Sequence, residues 1–277
     1  MNNKIIDGKK ISLELKEKLI EKVKKIDKKL TLVVISVGSN EASKVYVRQK
    51  EKMALEIGFN FFNLHFDSIE EDDLIKEIEK LNNNGEITGI IVQLPLPEHL
   101  NKDKILNSIN PLKDVDGLTN NNLIKLIKKE ECLIPCTPKG IMTLFNYYNI
   151  DFLGKNVVIV GRSELVGLPL FHLLLNKNAT VTLCHSKTTN LSHYTKEADI
   201  LIVAVGKKDL ITKDMIKKNS VLIDVGINRC EKQLYGDINS ECINISSLMT
   251  PVPGGVGPMT VISLMENVYL ANEFLNK

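Results

Sequence analysis

Short β-branched runs that alternate with helix-like stretches constrain the fold of this chain more than any other feature. Thr31–Val37 and Ile87–Leu94 are nearly unbroken apolar runs, typical of strands that are buried on both faces. Between them, apolar residues recur at helical spacing over Ser43–Ile57 and Glu70–Leu81, and Asn60–Phe66 alternates loosely. This β-α-β-α-β order predicts a parallel sheet with helices on both faces.

A second alternation of the same kind begins near residue 156. Strands are predicted at Asn156–Val160, Thr180–Cys184, Asp199–Val205 and Val221–Val225, and a helix over Gly167–Asn176. A chain of 277 residues is long enough for two ordinary domains. The sequence therefore predicts an α/β protein of two α/β domains with a cleft between them, the second of them Rossmann-like.

Two further helices are predicted in the second half. Thr137 and Pro138 are suited to the N-cap and first position of a helix that runs through Tyr148. The last helix is expected to begin near Thr260, because the preceding Pro251–Pro258 looks too irregular for either helix or strand.

Charge and composition exclude several classes of protein. Lys and Arg number 36 against 34 Asp and Glu, a balance that does not suggest a nucleic-acid partner. No apolar run approaches the ~20 residues that span a bilayer, and the N-terminus lacks the apolar core of a secretory signal. The five cysteines form no C-x-x-C pair, so we expect reduced, buried thiols, no metal site and a cytoplasmic protein.

A glycine turn follows the first strand of the second alternation. The strand ends in Gly161, a polar turn begins with Arg162, and Gly167 starts the next helix. The N–H groups at a helix N-terminus bind phosphate, so this turn predicts a dinucleotide site. The full G-x-G-x-x-G pattern is absent, which leaves an ordinary structural turn as the alternative.

The end of the next strand indicates which dinucleotide is bound. NAD enzymes commonly place a carboxylate about 20 residues past the glycines. Here the strand ends in His185-Ser186-Lys187, which contains no carboxylate and, with Arg162, offers cations and a hydroxyl. These groups favour the 2′-phosphate of NADP over NAD, although His185 and Lys187 could instead be solvated loop residues.

Three features of the first half suggest chemistry. Tyr46 and Lys50 are four residues apart and so share a helix face, where a desolvated lysine can shuttle protons. The same spacing is common on ordinary helices. Gln93 ends a buried strand, where ligand-facing residues collect in parallel sheets. Asp114–Gly117 holds two Asp residues before Gly, a pattern that most often marks a turn.

Taken together, seven strings resemble the bifunctional methylenetetrahydrofolate dehydrogenase/cyclohydrolase family. They follow the family order and span nearly the whole chain. One departure is Glu41-Ala42-Ser43 where the family often has Pro-Ala-Ser, which affects only a turn. The strings are SKVYVRQK (Ser43–Lys50), VQLPLP (Val92–Pro97), KDVDGL (Lys113–Leu118), IPCTPKGI (Ile134–Ile141), GRSELVGLP (Gly161–Pro169), CHSKT (Cys184–Thr188) and PVPGGVGPMT (Pro251–Thr260).

The resemblance implies two reactions on a folate substrate with NADP as cofactor. The first oxidises 5,10-methylenetetrahydrofolate to the methenyl cation, and the second hydrolyses that cation to 10-formyltetrahydrofolate. It also implies a homodimer. The final helix would join the folate-binding and catalytic domain, residues 1–140 plus 260–277, and the NADP-binding domain would be residues 141–259.

The resemblance also implies roles for single residues. Lys50 would be the catalytic lysine, either in proton transfer or in polarising the attacked carbon. Tyr46 would stack on the folate and hydrogen-bond toward Lys50, Gln93 would orient Lys50, and Asp116 would bind the pterin. The residues implied on the cofactor side are Gly161, Arg162, Ser163, His185 and Ser186 at the phosphates and Ile227 at the nicotinamide, with Pro253, Gly254 and Gly255 close to the substrate.

Three alternatives remain at this point. A monofunctional dehydrogenase of the same family is disfavoured by the presence of Tyr46, Lys50 and Gln93 together. An NADP-dependent reductase of another substrate, such as shikimate, shares the two-domain plan but lacks the VQLPLP and PVPGGVGPMT strings. A nucleotide-binding regulatory protein without activity would not need the full set of polar residues.

Overall fold

The computed structural model describes residues 4–230 and 233–277, which form two compact α/β units. The first unit comprises residues 14–136 and 261–277, and the second comprises residues 137–260 with the chain up to residue 13. The predicted class, two α/β domains with parallel sheets, is confirmed. The predicted functional boundaries near 140 and 260 stay a prediction, as does the cleft, and the contacts group the N-terminal residues with the second unit.

The described residues of the first unit form a three-stranded parallel sheet of order β2-β1-β3. The central strand β1 is buried along almost its whole length, as its apolar sequence predicts. The elements are α1 (Gly8–Val23), which begins in the other unit, β1 (Thr31–Val37), α2 (Glu41–Ile57), β2 (Asn60–Phe66), α3 (Glu71–Asn83), β3 (Gly89–Val92), α4 (Lys102–Asn107) and α5 (Asn120–Lys128).

Helix α2 has defined caps at both ends. It begins two residues before the predicted Ser43, because the Asn40 side chain accepts a hydrogen bond from the Ser43 backbone N–H at 3.0 Å and so caps the first turn. It ends where predicted, at Gly58, whose φ of 100° is the left-handed conformation that glycine adopts at low cost. These caps fix where α2 begins and ends.

The described part of the second unit contains a five-stranded parallel sheet of order β10-β7-β6-β4-β5. Chain order reverses at β4, because β5 lies on one side of it and β6 on the other. A short antiparallel hairpin, β8–β9, was not predicted. The elements are α6 (Cys136–Tyr147), β4 (Asn156–Val160), α7 (Gly167–Leu175), β5 (Thr180–Cys184), α8 (Leu191–Thr195), β6 (Ile200–Val203), β7 (Val221–Asp224), β8 (Asn228–Cys230), β9 (Gln233–Tyr235), β10 (Leu248–Met249) and α9 (Val256–Leu275), which ends in the first unit.

Two further helices, like α2, begin earlier than predicted. Helix α6 already includes Thr137 and Pro138, which we expected at its N-cap and first position. Helix α9 begins at Val256, so part of the Gly/Pro-rich stretch expected to be irregular is helical. Pro258 falls in the first turn of α9, where its missing N–H removes no intrahelical hydrogen bond.

Within the described ranges, no helix is long and apolar enough to cross a membrane. The same residues contain no group of three or more His, Cys, Asp or Glu side chains arranged to hold a metal ion.

The cysteines differ in exposure. Cys132, Cys136, Cys184 and Cys242 are buried, whereas Cys230 on β8 is exposed, which corrects the expectation that all five are buried. Burial raises the pKa of the Cys132 and Cys242 thiols to about 11. The thiolate is the reactive form, so the buried thiols are protected both by exclusion of reagent and by protonation.

We expect iodoacetamide at pH 8 to alkylate native protein at Cys230 alone, as read by peptide mass spectrometry. In denaturant all five thiols should react, and Cys230→Ser should abolish labelling of the native chain. Alkylation of a buried thiol in native protein as fast as Cys230 would contradict this assignment.

Candidate functional site

Lys50 and Gln93 meet in the first unit. Helix α2 supplies Lys50, and Gln93 follows the buried strand β3. The Lys50 Nζ donates a hydrogen bond to Gln93 Oε1 at 2.9 Å, and Gln93 Nε2 donates to the Leu94 carbonyl at 2.7 Å. The second bond keeps the amide oxygen of Gln93 turned toward the lysine. Among the residues that the structure describes, Lys50 forms no ion pair, so its partner is a neutral amide.

Tyr46 lies one turn before Lys50 on α2. Its side chain is 38% exposed, and burial of the rest raises the pKa of its phenol. Over the described part of the chain the hydroxyl makes no hydrogen bond, so the implied bond toward Lys50 is not formed here. The ring and its hydroxyl remain available to a ligand.

The two aspartates of the KDVDGL string have different environments. Asp114 is 1% exposed and accepts hydrogen bonds from the backbone N–H groups of Gly117 (3.0 Å) and Thr119 (2.7 Å) and from Asn122 Nδ2 (3.0 Å). Burial raises the pKa of Asp114. Asp116 is only partly buried, and no hydrogen bond to its carboxylate comes from the described residues. Asp114 therefore builds the turn, and Asp116 is left to bind something else.

Lys113, in the same string, is also structural. It is 4% exposed, and its Nζ donates to the carbonyls of Leu81, Asn82 and Asn84 at the end of α3. Burial lowers the pKa of Lys113. The ammonium thereby binds the carbonyl groups at the C-terminal end of α3, where a helix leaves carbonyls without a full set of intrahelical donors.

A buried amide on α9 holds the Asp116 segment. Asn267 is fully buried and donates from Nδ2 to the carbonyls of Val115 at 2.9 Å and Ile134 at 2.8 Å. Gly117 has φ of 72°, and a Cβ there would lie 2.7 Å from the Leu133 carbonyl oxygen. Asn267 was not predicted from the sequence, where its signal was an amide on the apolar face of the last helix.

Two glycines build the turn after β4 in the second unit. Gly161 has φ of 125°, and a Cβ on it would lie 2.4 Å from the Ala204 carbonyl oxygen. A Cβ on Gly167 would lie 2.0 Å from the Gly161 carbonyl oxygen. Ser163 Oγ accepts from the Val166 N–H at 3.2 Å, and Arg162 is exposed. Gly161 and Gly167 thus place no side chain over the backbone where the predicted phosphate site lies.

The turn after β5 lies beside this site, because Val160 at the end of β4 pairs with Cys184 at the end of β5. His185 Nδ1 accepts from the Lys187 N–H at 3.1 Å, so the imidazole is part of the turn as well as a candidate contact. Ser186 is exposed. No acidic side chain occurs between Cys184 and Thr188.

The remaining predicted residues are also in the second unit. Ile227, which follows β7, is 44% exposed. Gly254, after Pro253, has φ of 106°, and its carbonyl accepts from the Lys9 N–H at 2.8 Å. A Cβ on Gly255 would lie 2.6 Å from the Pro251 carbonyl oxygen. The loop therefore approaches other backbone too closely for a side chain at Gly255, whereas Gly254 is favoured by its left-handed backbone conformation.

Comparison with known proteins gives consistent results over nearly the whole chain. Residues 6–116 match the family model described as the tetrahydrofolate dehydrogenase/cyclohydrolase catalytic domain. Residues 135–275 match the model described as the NAD(P)-binding domain of the same family. Bifunctional protein FolD of Streptococcus agalactiae is 49% identical over 274 residues, which cover 96% of each chain.

Two solved structures agree with these matches. The bifunctional FolD dehydrogenase/cyclohydrolase from Campylobacter jejuni has a TM-score of 0.96 at 44% identity, over 98% of this chain and 99% of that one. The Trypanosoma brucei dehydrogenase-cyclohydrolase, complexed with NADP cofactor and inhibitor, has a TM-score of 0.93 at 32% identity, over 99% and 98% of the two chains.

We expect Asn267→Ala to destabilise the protein by about 1–3 kcal/mol, because two carbonyls lose an amide donor that water does not replace in a buried site. The urea midpoint of the full chain measures this loss. Asn276→Ala, at an exposed position near the end of the chain, is the matched control and should change stability by less than about 0.5 kcal/mol. Equal midpoints for the two variants would refute a clamping role for Asn267.

Proposed function

This chain belongs to the tetrahydrofolate dehydrogenase/cyclohydrolase family, and we propose that Lys50 and Gln93 form the centre of its hydrolytic step. The protein is a bifunctional enzyme of folate one-carbon metabolism. It catalyses NADP-dependent oxidation of 5,10-methylenetetrahydrofolate to the 5,10-methenyl cation, and then hydrolysis of that cation to 10-formyltetrahydrofolate. The observation that carries our proposal is the 2.9 Å hydrogen bond from Lys50 Nζ to Gln93 Oε1.

Hydrolysis of the methenyl cation needs a group that moves protons. A water oxygen attacks the carbon between two folate nitrogens and loses a proton, which gives a neutral carbinolamine. The hydroxyl then loses its remaining proton as it becomes the formyl C=O, one C–N bond breaks, and the leaving nitrogen gains a proton. Lys50 can accept the first proton as a neutral amine. Its partner in the first unit is the neutral Gln93 amide, which orients the lysine without competing for its charge as a carboxylate would. This contact favours proton transfer over polarisation of the attacked carbon as the role of Lys50.

Tyr46 and Asp116 are the groups we assign to folate binding. The partly exposed ring of Tyr46 offers a face for stacking on the substrate. The Asp116 carboxylate is suited to accept two parallel hydrogen bonds, from the pterin amino group and the adjacent ring N–H. The contacts of Asp114, Gly117 and Asn267 support this role, because they fix the backbone that carries Asp116.

The second unit fits NADP. A Cβ on Gly161 or Gly167 would collide with protein backbone, so these glycines allow the tight turn that joins β4 to the N-terminus of α7, where N–H groups can bind a pyrophosphate. When bound, NADP supplies the acceptor for a hydride from the methylene carbon. We assign Arg162, Ser163, His185 and Ser186 to the phosphates.

Ile227 is assigned to the nicotinamide side, and Pro253, Gly254 and Gly255 to close backbone approach at the substrate. The dehydrogenase step needs no acid or base on the transferred atom, so these residues act by placing two rings at the distance for transfer. We also propose that the enzyme is a homodimer in the cytoplasm, as the resemblance to its family implies.

We expect Lys50→Met to lower the cyclohydrolase rate by at least about a hundredfold, since that is the smallest effect usual for loss of a general acid–base group. The dehydrogenase rate should fall less, because hydride transfer does not use this group. Both rates are measured on purified protein, from NADPH formation and from the loss of methenyltetrahydrofolate.

Lys52→Met is the matched control, because Lys52 lies on the same helix with its side chain 79% exposed, and both activities should survive this change. The proposal fails if the Lys50 variant still opens methenyltetrahydrofolate at the wild-type rate.

We expect Asp116→Ala to raise the Michaelis constant for the folate about 10- to 100-fold, since charge-assisted hydrogen bonds contribute about 1.5–3 kcal/mol. The Michaelis constant for NADP should stay nearly unchanged. The control is Asp27→Ala, an exposed carboxylate before β1 at the opposite edge of the sheet. Equal losses for folate and NADP would show that Asp116 does not bind the pterin.

A further inference from the structure

We propose that Asp237 is a positioning residue for the NADP crevice, where its buried carboxylate holds the two loops that follow β6 and β7. The inference rests on the assignment of NADP to the second unit. Asp237 itself is 0% exposed, so it acts on the cofactor only through the backbone it holds.

The sheet topology identifies one of these loops as a wall of the crevice. In open α/β sheets, ligands bind beyond the carboxyl ends of the strands, at the point where strand order reverses. That point lies between β4 and β6. A Cβ on Gly161, after β4, would lie 2.4 Å from the Ala204 oxygen and 3.4 Å from Val205 Cγ1, so the two loops are in direct contact.

The Asp237 carboxylate accepts three hydrogen bonds from the loop after β6 and a fourth from Asn228, the first residue of β8, where the loop after β7 ends. Oδ2 accepts from the backbone N–H groups of Val205 at 2.8 Å and Gly206 at 2.9 Å. Oδ1 accepts from the Lys207 N–H at 2.7 Å and from Asn228 Nδ2 at 2.9 Å. Three successive N–H groups aimed at one anion form a nest, which the carboxylate closes from inside the protein.

The residues held in this way carry exposed apolar side chains at the predicted nicotinamide side. Val205 is 40% exposed, and Ile227, the neighbour of Asn228, is 44% exposed. One carboxylate therefore fixes the backbone at or beside both side chains. A shift in that backbone would therefore move the Val205 and Ile227 side chains together.

The structure reserves space for this carboxylate. A Cβ on Gly226 would lie 2.1 Å from Asp237 Cγ, so the loop after β7 needs glycine at this position to pass beside the carboxylate. A second buried carboxylate, Asp224, in turn accepts from the N–H groups of Asp237 at 2.9 Å and Ile238 at 2.8 Å. The backbone that carries Asp237 is thus fixed as well.

Asp237→Asn tests the proposal in the full-length enzyme. The amide keeps the shape of the side chain, but its NH2 group faces two donors where Oδ1 or Oδ2 accepted two hydrogen bonds. We expect the Michaelis constant for NADP to rise at least about tenfold. The cyclohydrolase rate, measured on methenyltetrahydrofolate without NADP, should stay within about twofold of wild type.

Asp199→Asn is the matched control. Asp199 accepts from the Asn156 N–H at 2.9 Å and from Lys217 Nζ at 2.7 Å, at the amino ends of strands in the same sheet. This change should leave the Michaelis constant for NADP unaltered. The proposal is overturned if the Asp237→Asn variant folds but loses both activities in parallel. It is also overturned if the Michaelis constant for NADP is unchanged in that variant.

A milder variant decides the case if Asp237→Asn does not fold. Asn228→Ala removes one of the four donors, and we expect it to raise the NADP constant about threefold with normal cyclohydrolase activity. No change in that constant would overturn the proposal. Failure of the cofactor assignment itself is a distinguishable result, because wild-type enzyme would then not reduce NADP.

Discussion

Burial of the parallel strands on both faces is the constraint on which the placement of the functional residues depends. The interior strands carry apolar side chains almost throughout, as in β1 and β6, so polar groups are available mainly where strands end. Gln93, Arg162 and His185 each follow a strand at its carboxyl end. Since parallel strands end at one edge, residues that are far apart in sequence come to the same edge of each sheet.

Buried polar side chains then hold the loops at these edges. Asp114 and Asn267 fix the Asp116 segment in the first unit, and Asp237 fixes the loops after β6 and β7 in the second. Each of these buried groups bonds mainly to backbone, because a loop without regular pairing leaves N–H and C=O groups that need partners. The residues assigned to ligands remain exposed or partly exposed. Different side chains therefore hold the loops and bind the ligands.

The sequence predicted the helices and strands better than it predicted the buried side chains that hold the loops. Thr31–Val37 and Asn156–Val160 are strands over their predicted ranges, because apolar β-branched runs bounded by turns are a local signal. The start of α9 was missed because proline and glycine, which usually break helices, are tolerated in a first turn. The buried side chains that hold the loops could not be predicted. The Asp237 carboxylate accepts hydrogen bonds from backbone N–H groups about 30 positions away, and no local spacing marks such a contact. The Lys50–Gln93 contact likewise spans 43 positions and was reached only through the family resemblance.

The space around the two buried carboxylates has a consequence for how this segment can evolve. Gly226 lies against Asp237, and Gly236, whose Cβ would lie 1.8 Å from Asp224 Oδ2, lies against Asp224. Each glycine makes room for an acid held on the other side of the β8–β9 hairpin. A side chain gained at either glycine is therefore viable only with a smaller residue at its acid, so each pair should drift together or not at all. The two glycine–acid pairs that flank the hairpin are thus expected to be inherited together.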